Sequence, residues 1–587
     1  MNNFNLQEEC TKLFHSSIIN NDKVKYTSDL KQLASTKLRF EGTQKPGIPI
    51  NWRYAESISV LKAFEGLSLL DLVEKKYNTT IDHITINTDQ AQVFIMSTFH
   101  NQFVFKNKNN EEEYLPVHSR KCYDLFQRLF KNQDYFNTEA SYNFGSCAIY
   151  ETKDGKYYNL YGSMQPQIIQ KAIGMPLLEE NLDHFSKLTF DEIWPLYQEK
   201  CLKYTAEELD HLSNDINGQA GVICYTSDEF KETEQYKATA HANLFETHFI
   251  NDGTPAQWWD NQGDGTIERP LKGLKVLDLT RIVAAPVITR TLAEYGASVI
   301  RITSPNLPDL NIVHPDTNNG KWCVELDFHN EDDRKKLLDL MLESDVIVEG
   351  YRAFHLDKYG LGKENILRLA KERGRGIIYA RENTYGWHGP WIERIGWQPI
   401  SDSCCGVSRK FAEGLAEVSK DPNMKKDQEA IIPVIANSDY CTGSAGATAV
   451  IQAIIERSKK GGSYVIDVAL NYYSMWLVDH IGTYDNDVWF DLWKQTGQPK
   501  LRHYHHMRYS LALYGPLLKK YSPQLWNPNH FEKRSILNDN DEVKLYTLKP
   551  VVQFSDQVKP QFTISTRSNG SDAPFWPKDL TTNQITA

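Results

Sequence analysis

The sequence lacks several features that mark particular classes of protein. It has no apolar run near the ~18 residues that a membrane-spanning helix needs, so we expect no membrane segment and no membrane partner. It has no excess of basic residues, because 65 Lys and Arg stand against 76 Asp and Glu, a formal net charge of −11. This balance argues against a dedicated nucleic-acid binder.

The nine cysteines also lack the spacing of a metal site or a disulfide framework. They are odd in number and scattered, and no two form a CxxC pair. Neither a zinc site nor a set of disulfides is therefore indicated. We expect no metal, and thiols that serve as small core residues in a reduced compartment.

Targeting signals are missing from both ends of the sequence. The start, MNNFNLQEEC, has no basic region followed by an apolar stretch, and its early acids disfavour a mitochondrial presequence. The end, NQITA, is not a peroxisomal tripeptide. We expect a cytoplasmic protein, with peroxisomal and mitochondrial locations left open.

Alternating apolar segments between Leu274 and Ala380 give the clearest structural signal. The short runs LKVLDL, SVIRI, DVIVEG and GIIYA alternate with amphipathic helical segments. This alternation predicts an α/β fold with a parallel sheet in a Rossmann-like layer. The first strand is followed by DLTRIVAAP and not by GxGxxG, so NAD binding is not indicated. Ligands of such sheets bind beyond the strand carboxyl ends, here Arg281 to Pro286 and Glu349 to Lys358.

Two distant segments share one pattern. Glu56 to Ile95 can be laid over Ser438 to Leu477, and each reads as a helix, a polar turn and an extended apolar segment. In this register Asp439 faces Ser57. Identity is thin, so the pattern alone leaves coincidence and an old duplication equally open.

The 587 residues correspond to about four domains at ~150 residues each. Within residues 137–250, YETKDGKYYNLYG predicts a hairpin around Asp154 and Gly155. The texture of the chain, taken with the family resemblance described below, implies seven segments: a polar lead (1–45), one half of a degenerate first large domain (46–136), a small α+β domain (137–250), a linker (251–270), a Rossmann-like domain (271–480), a helical, truncated small domain (481–540) and a closing segment with a tail (541–587).

Asp439 is the main candidate for chemistry. It lies in IIPVIANSDYCTGSAGATAV, after an apolar extended run and before a long helix of small residues. An Asp at this point can cap the helix. With a reference pKa of ~3.9 it can also attack a carbonyl as a carboxylate, while nearby amides stabilise the oxyanion. Its spacing alone does not separate these roles.

Five motifs in order resemble the family III CoA-transferases (the CaiB/BaiF group) and the related α-methylacyl-CoA racemases. They are LKGLKVLDLTRIVAAPVITRTLAEYGASVIRITSP, KWCVELDF, SDVIVEGYRAFHLDKYGLG, YGWHGPWIERIGWQPISDSCCG, and SDYCTGSAGATAV with KKGGSYVIDVAL, spanning residues 271 to about 477. The order of small-domain-like and large-domain-like sequence is rearranged and fits fungal members. Because the family forms interlocked dimers, the resemblance implies either a homodimer or two incomplete units in one self-contained chain.

The resemblance implies a CoA-transferase that moves CoA between an acyl-CoA and a small carboxylic acid. Asp439 would form the covalent aspartyl intermediate without a metal. Gly443 would let the backbone approach the acyl carbonyl, and the alternative is that this glycine eases helix packing. The residues that stand at the family's CoA contacts are Leu326, Tyr351, Lys358 and Tyr359, and Lys321 with Lys358 would make a basic mouth for this anionic ligand.

Several residues depart from the family pattern and keep alternatives open. Positions that are usually polar or basic hold Val283, Ser304, His329 and Asn383, which leaves room for a catalytically inactive relative. A racemase-like isomerase needs an acid/base His, but Trp397 stands at that position. Three other features are interpreted as structural: His388 as a surface or packing residue, Cys404 and Cys405 as core filling, and His503 to His506 as a solvated aromatic loop.

Overall fold

The computed structural model describes residues 4–259, 266–425, 428–537 and 542–586. The predicted linker, 251–270, therefore lies partly outside the described residues. The amino-terminal helices and strands are α1 (Leu6–Phe14), α2 (Leu30–Lys37), β1 (Leu38–Glu41), α3 (Tyr54–Tyr77), β2 (Ile84–Asn87), α4 (Thr88–Phe94), β3 (Gln102–Lys106), β4 (Glu112–Pro116) and α5 (Tyr123–Leu129).

The prediction of a polar lead over residues 1–45 is wrong. In α1, Leu6, Cys10, Leu13 and Phe14 share one buried face, as their helical spacing allows. β1 then pairs in parallel with β2. Polar residues dominate the composition of this segment and occupy the outer face of α1. Composition alone therefore does not reveal the apolar face of this helix.

The next segment forms a compact α+β unit. Its elements are α6 (Ser141–Phe144), β5 (Cys147–Glu151), β6 (Tyr157–Tyr161), α7 (Pro166–Ala172), α8 (Leu182–Phe185), α9 (Phe190–Cys201), α10 (Ala206–Asp210), β7 (Ala220–Ile223), α11 (Ser227–Lys231) and α12 (Glu234–Thr239). The antiparallel sheet runs β5-β6-β7. The predicted hairpin is confirmed: Gly155 takes a positive φ of 76° in the turn between β5 and β6, which a glycine adopts without strain.

The large domain contains β8 (Glu246–Ile250), β9 (Lys275–Leu279), α13 (Ala284–Glu294), β10 (Ser298–Thr303), α14 (His314–Thr317), β11 (Lys321–Glu325), α15 (Glu331–Glu343), β12 (Val346–Glu349), α16 (Lys363–Glu372), β13 (Ile378–Asn383), α17 (Gln398–Cys404), α18 (Val407–Ser419), α19 (Asn437–Lys460), β14 (Ser463–Ala469) and α20 (Leu470–Trp476). Its seven-stranded sheet has the order β11-β10-β9-β12-β13-β14-β8. The predicted parallel sheet is confirmed for β9 to β14.

β8 corrects the predicted end of the small domain at residue 250. It pairs antiparallel with β14, so it is the edge strand of the large sheet. Its burial alternates along the strand, as expected where one face of an edge strand meets solvent. The chain thus leaves the small domain before Glu246.

Helices cover both faces of the large sheet, as expected for a parallel sheet. Val276, Val346 and Ile378 pack into the main core with α13 and α19. The strand residues that follow them point to the opposite face, where α15, α16 and the carboxyl-terminal Trp576 pack.

The carboxyl-terminal region adds α21 (Asn486–Gln495), α22 (Met507–Tyr521), β15 (Phe531–Ser535), β16 (Lys544–Leu548) and β17 (Val552–Phe554). β15 and β16 join β3 and β4 in one sheet, and β17 pairs antiparallel with β2. Both contacts bring the last part of the chain back to the first. Within the described ranges, no helix combines the length and the apolar character needed to cross a membrane.

The two segments that share a sequence pattern also share a structure. α3 and α19 are both 24 residues long, and each is followed by a strand and a seven-residue helix. In the register that lays Glu56 on Ser438, α4 falls on α20. β2 lies between parallel β1 and antiparallel β17, and β14 lies between parallel β13 and antiparallel β8. This match favours an old duplication over coincidence.

Candidate active site

Asp439 lies in the first turn of α19, at the interface between the large and small domains. The helix is capped by Ala436 and begins at Asn437, so the capping role considered for Asp439 is wrong. Ser438 and Tyr440 on either side are buried, whereas Asp439 is only partly buried. The free amides and the dipole at a helix N-terminus favour a negative charge at this point.

A second carboxyl group stands beside Asp439. Asp402 on α17 accepts a hydrogen bond of 3.1 Å from the hydroxyl of Ser438 and another from the amide of Gln398. Burial raises the pKa of Asp402 to about 7. Burial and the negative charge of Asp402 together raise the pKa of Asp439 to about 8. Asp439 thus holds its proton to a higher pH than the ordinary carboxyl group that the sequence analysis assumed.

Glu382 completes the acidic surroundings of Asp439. It lies near the carboxyl end of β13, and burial and the charge of Asp439 raise its pKa well above its usual value. Like charges in a site with little water disfavour simultaneous ionisation. The sequence had not singled out Asp402 or Glu382, because neither belongs to a recognisable spacing with Asp439.

The small domain forms the other wall of the site. The pKa of Tyr161, at the end of β6, is raised by burial and by the charges of Cys147 and Asp439, which places this phenol close to Asp439. The ring of Trp397 lies 6.4 Å from that of Tyr161, and its indole N–H donates to the Ser163 hydroxyl at 2.5 Å. The nucleophile candidate is thus enclosed by residues from both domains.

A hydrogen-bonded link keeps the two domains in register at this point. The side-chain amide of Asn159 on β6 donates to the carbonyl oxygen of Pro399 and to the hydroxyl of Ser403, both at 2.9 Å. Pro399 and Ser403 lie on α17, which also carries Asp402. The position of Asp402 relative to Tyr161 is therefore fixed by buried contacts.

Gly443 has a packing role instead of the predicted role at the acyl carbonyl. A Cβ at this position would lie 2.5 Å from Cβ of Val287 and 2.8 Å from the carbonyl oxygen of Ala284. The absence of a side chain lets α19 lie directly against α13. The space beside Gly443 is filled by protein, so the glycine leaves no room for a substrate.

Three of the predicted CoA contacts lie together beyond the carboxyl ends of β11 and β12. The ring of Tyr359 is 6.0 Å from the ring of Phe328, and the ring of Tyr351 is 6.4 Å from it. The ammonium of Lys358 lies 4.9 Å from the centre of the Tyr359 ring. Leu326 is buried beneath this group in the core. The aromatic rings and Lys358 form what we call the aromatic edge.

Arginine residues give the aromatic edge its positive charge. The Arg281 guanidinium lies 5.7 Å from the centre of the Tyr351 ring. Burial and the positive charges of Lys358, Arg352 and Arg281 lower the pKa of His355. Among the described residues, the buried Tyr351 hydroxyl has no hydrogen-bond partner. Arg281 and Arg352 both lie in ranges that the sequence indicated, Arg281 to Pro286 and Glu349 to Lys358.

Lys321 is not part of this surface, and the prediction that it helps to form a basic mouth is wrong. Its side chain is fully buried, and its ammonium contacts the Asp278 carboxylate at 2.8 Å and the Pro286 carbonyl oxygen at 2.9 Å. Lys321 begins β11, and Asp278 lies on β9, two strands away in the same sheet. A buried cation of this kind must be paired.

The four departures from the family pattern have local structural roles. His329 is exposed and contacts Asp327 at 3.0 Å. The Asn383 side chain closes a loop with both backbone groups of Gly386 at 2.8 Å. Val283 precedes α13 and is nearly buried, and Ser304 accepts a hydrogen bond from the Asn306 amide.

The remaining sequence candidates take structural positions. Cys404 and Cys405 are fully buried in a core cluster, as expected. The prediction of a solvated loop at His503 to His506 is wrong, because His503, His505 and His506 are buried. His506 caps α22 by accepting from the backbone N–H of Tyr509, and the other rings pack on aromatic residues of the small domain.

Comparisons with known proteins give consistent similarities. The model of the family described as CoA-transferase family III matches residues 271–508. The chain is 40% identical to the acetyl-coenzyme A transferase nodX of Hypoxylon pulicicidum, over 92% of this chain and 88% of that protein. It is 30% identical to an acyl-CoA transferase of Gibberella moniliformis, over 77% and 75% of the two chains. A human succinyl-CoA:glutarate CoA-transferase is 27% identical over 38% of this chain and 49% of its own length.

Proposed function

This chain belongs to CoA-transferase family III and is a transferase, and we propose that it moves coenzyme A from an acyl-CoA to a carboxylic acid through Asp439. The observation that carries this proposal is the position of Asp439 in the first turn of α19, between the two domains and beside Asp402. Because the 40% identical relative is named an acetyl-coenzyme A transferase, acetyl-CoA is the first donor to test.

The proposed reaction is a series of acyl transfers through the carboxylate of Asp439. Asp439 attacks the thioester carbonyl, and the C–S bond breaks to give an acyl-aspartyl anhydride and CoA thiolate. The thiolate attacks the aspartyl carbonyl, which forms an aspartyl-CoA thioester and releases the donor acid. The acceptor carboxylate attacks this thioester and expels the thiolate, which then takes the new acyl group. Asp439 is regenerated and no net proton is consumed.

Because its pKa is raised, Asp439 must lose a proton before the first attack. With a pKa of about 8, roughly a tenth of the free chains carry an ionised Asp439 at pH 7. Asp402 keeps the ionised fraction low through its negative charge. A low ionised fraction slows the first step at neutral pH. It also avoids the free-energy cost of an unpaired negative charge in the site when no substrate is bound.

The aromatic edge is the proposed site for the CoA nucleotide. Tyr351 and Tyr359 offer faces for the adenine ring. Lys358 and Arg281 offer charges for phosphate groups, and the orphan hydroxyl of Tyr351 offers a further hydrogen bond. The carboxyl ends of parallel strands are where such sheets bind ligands. We leave Lys321 and Gly443 out of the proposed site, because both are enclosed by protein.

We also propose that one chain holds one active site. In the register of the duplication, Ser57 takes the place of Asp439. Ser57 is fully buried, and its hydroxyl accepts a hydrogen bond of 3.0 Å from Tyr473 and donates to the Tyr54 carbonyl oxygen. The first unit therefore supplies strand β2 and helix α3 to a self-contained pseudo-dimer, and the second supplies the nucleophile.

The isomerase alternative receives no support from the site. Trp397 stands where an acid/base group would be needed, and its N–H is engaged by Ser163. An indole does not exchange protons near neutral pH. Incubation of the enzyme and a 2-methylacyl-CoA in deuterated water separates the two functions: a transferase leaves the α-proton in place, and an isomerase exchanges it.

A panel of acyl-CoA donors and free acids tests the proposed reaction. The full-length chain is incubated with acetyl-CoA and one acid at a time, and new CoA thioesters are measured by liquid chromatography. We expect a new thioester for at least one acid, with kinetics that report a covalent intermediate. Hydrolysis of the donor without transfer, with every acid, would contradict the proposal.

A further inference from the structure

Three side chains from separate segments converge on one oxygen atom outside the active site. His241 follows α12, Glu246 begins β8, and His388 lies in the loop between β13 and α17. Nε2 of His241 lies 2.8 Å from Oε2 of Glu246, and Nε2 of His388 lies 3.3 Å from the same oxygen. The two imidazole rings are 4.9 Å apart. We call this group the His-Glu-His cluster.

The Glu246 carboxylate is held so that one oxygen is left for these histidines. The hydroxyl of Tyr472 donates to Oε1 at 2.6 Å and also accepts from the backbone N–H of Trp387 at 3.2 Å. Oε2 therefore faces only the two imidazoles among the hydrogen-bond partners that the described residues provide. A carboxylate oriented by a second residue in this way is typical of metal ligands.

The distances fit a tetrahedral ion. Zinc bonds to nitrogen and oxygen of about 2.0–2.1 Å at a tetrahedral angle place two ligand atoms about 3.3 Å apart. The His388–Glu246 separation of 3.3 Å already has this value, and the His241–Glu246 separation of 2.8 Å needs to widen by about half an ångström. All three ligand atoms lie within 4.8 Å of one another, so small rotations of the side chains bring them around one ion.

A neighbouring cluster contains similar side chains but is less suited to binding a metal ion. Glu246, His248 and Asp467 also bring ligand atoms within 4.8 Å of one another. There, however, the Arg381 guanidinium holds both oxygens of Asp467, at 2.5 and 3.0 Å. A cation already neutralises that carboxylate, so a metal ion would have to displace it. Within the described residues, no arginine or lysine forms a hydrogen bond or an ion pair with the His-Glu-His cluster.

We propose that His241, Glu246 and His388 bind one zinc ion. Imidazole and carboxylate groups are ligands that zinc accepts. The side chains of His241 and His388 are 55% and 43% exposed, so water completes the coordination. The ion ties the segment that leaves the small domain to the loop that leads into α17, the helix of Asp402. The ligands stand at positions 241, 246 and 388, and this long separation is why no cysteine or histidine spacing in the sequence indicated a metal.

Zinc titration of the full-length chain tests this site without reference to activity. The chain is stripped with a chelator, dialysed and titrated with ZnCl₂ in a calorimeter, and Co²⁺ is used as a spectroscopic probe of tetrahedral geometry. We expect one zinc per chain with micromolar affinity or tighter. His241→Ala and His388→Ala are each expected to weaken binding at least tenfold, and the double variant to abolish it.

His248→Ala is the matched control, because His248 lies on the same strand and near the same carboxylate. It is expected to keep the stoichiometry and affinity of the unmodified chain. Circular dichroism of the metal-free variants checks that each is folded, which is expected for exposed histidines. The proposal is overturned if the unmodified chain shows no saturable binding below 100 μM zinc, an upper limit of about −5.5 kcal/mol, or if both site variants bind as the control does.

Discussion

Asp402 is linked to the residue that precedes Asp439, because the hydroxyl of Ser438 donates a hydrogen bond of 3.1 Å to the Asp402 carboxyl group. One carboxyl belongs to α17 and the other to α19. Their proximity makes the charge of Asp402 a control on the ionisation of Asp439. This pair, and not Asp439 alone, sets the pH at which the proposed nucleophile becomes active.

Replacement of Asp402 shifts the pH dependence of the reaction. The first attack needs ionised Asp439, so the rate rises with pH as this group loses its proton. Asp402→Asn removes the negative charge that raises the pKa of Asp439, and we expect the rising limb of the kcat/KM profile to move to lower pH by roughly one unit. Asp487→Asn, an exposed change on α21, is the control. An unshifted limb in Asp402→Asn would show that the two carboxyls are not coupled.

The same replacement changes how stability depends on pH. The pKa of Asp402 is higher in the folded chain, about 7, than in the unfolded chain, near 3.8. Its contribution to stability is therefore fully present below about pH 4 and is lost as the pH rises to about 7. We expect Asp402→Asn to gain melting temperature relative to the unmodified chain as the pH rises from about 4 to about 7, with no further gain at higher pH. A constant difference across this range would contradict the raised pKa.

Substitution of Gly443 tests its packing role. The Cβ of Gly443→Ala would meet Val287 and the Ala284 carbonyl oxygen, and this overpacking is expected to cost about 1–3 kcal/mol of unfolding free energy. Val287→Ala in the same chain removes the contact with Cγ1 of Val287 but keeps the contacts with its Cβ and with the Ala284 carbonyl oxygen, so it is expected to restore only a small part of the loss. Thermal unfolding of the two variants measures both effects. Full stability of Gly443→Ala would mean that the helices do not approach as closely as described.

Charge removal at the aromatic edge weakens the binding of acyl-CoA. Lys358→Ala and Arg281→Ala are each expected to raise KM for the acyl-CoA roughly threefold to tenfold, with a smaller change in kcat. The effect should shrink as the salt concentration rises. Lys371→Ala, an exposed change on α16, is the control for general charge effects. Equal KM values for all three variants would place the nucleotide elsewhere.

The sequence allowed prediction of the parts of the fold that carry dense local patterns. β9 to β13 are buried on both faces, so they appear as continuous apolar runs between amphipathic helices. β8 and β17 are short edge strands, and their partners lie more than two hundred residues away. Their positions follow from tertiary pairing, which leaves no local signal.

The sequence allowed prediction of a site residue only where the residue type and its motif are enough to identify it. Asp439 stands in a recognisable motif, but its raised pKa depends on Asp402, which reaches it only through the packing of α17 on α19. Lys321 shows the opposite problem, because a sequence does not distinguish a lysine at the surface from one that neutralises a buried Asp278. The His-Glu-His cluster is likewise formed by tertiary structure alone.

Trapping of the aspartyl intermediate tests the central claim most directly. The chain is incubated with acetyl-CoA and hydroxylamine, digested, and analysed by mass spectrometry, alongside Asp439→Ala and the Asp487→Asn control. We expect a hydroxamate on Asp439, formed only when acetyl-CoA is present, and a loss of transfer activity of at least about a thousandfold in Asp439→Ala. An unmodified Asp439, together with transfer activity that survives Asp439→Ala, would contradict the mechanism.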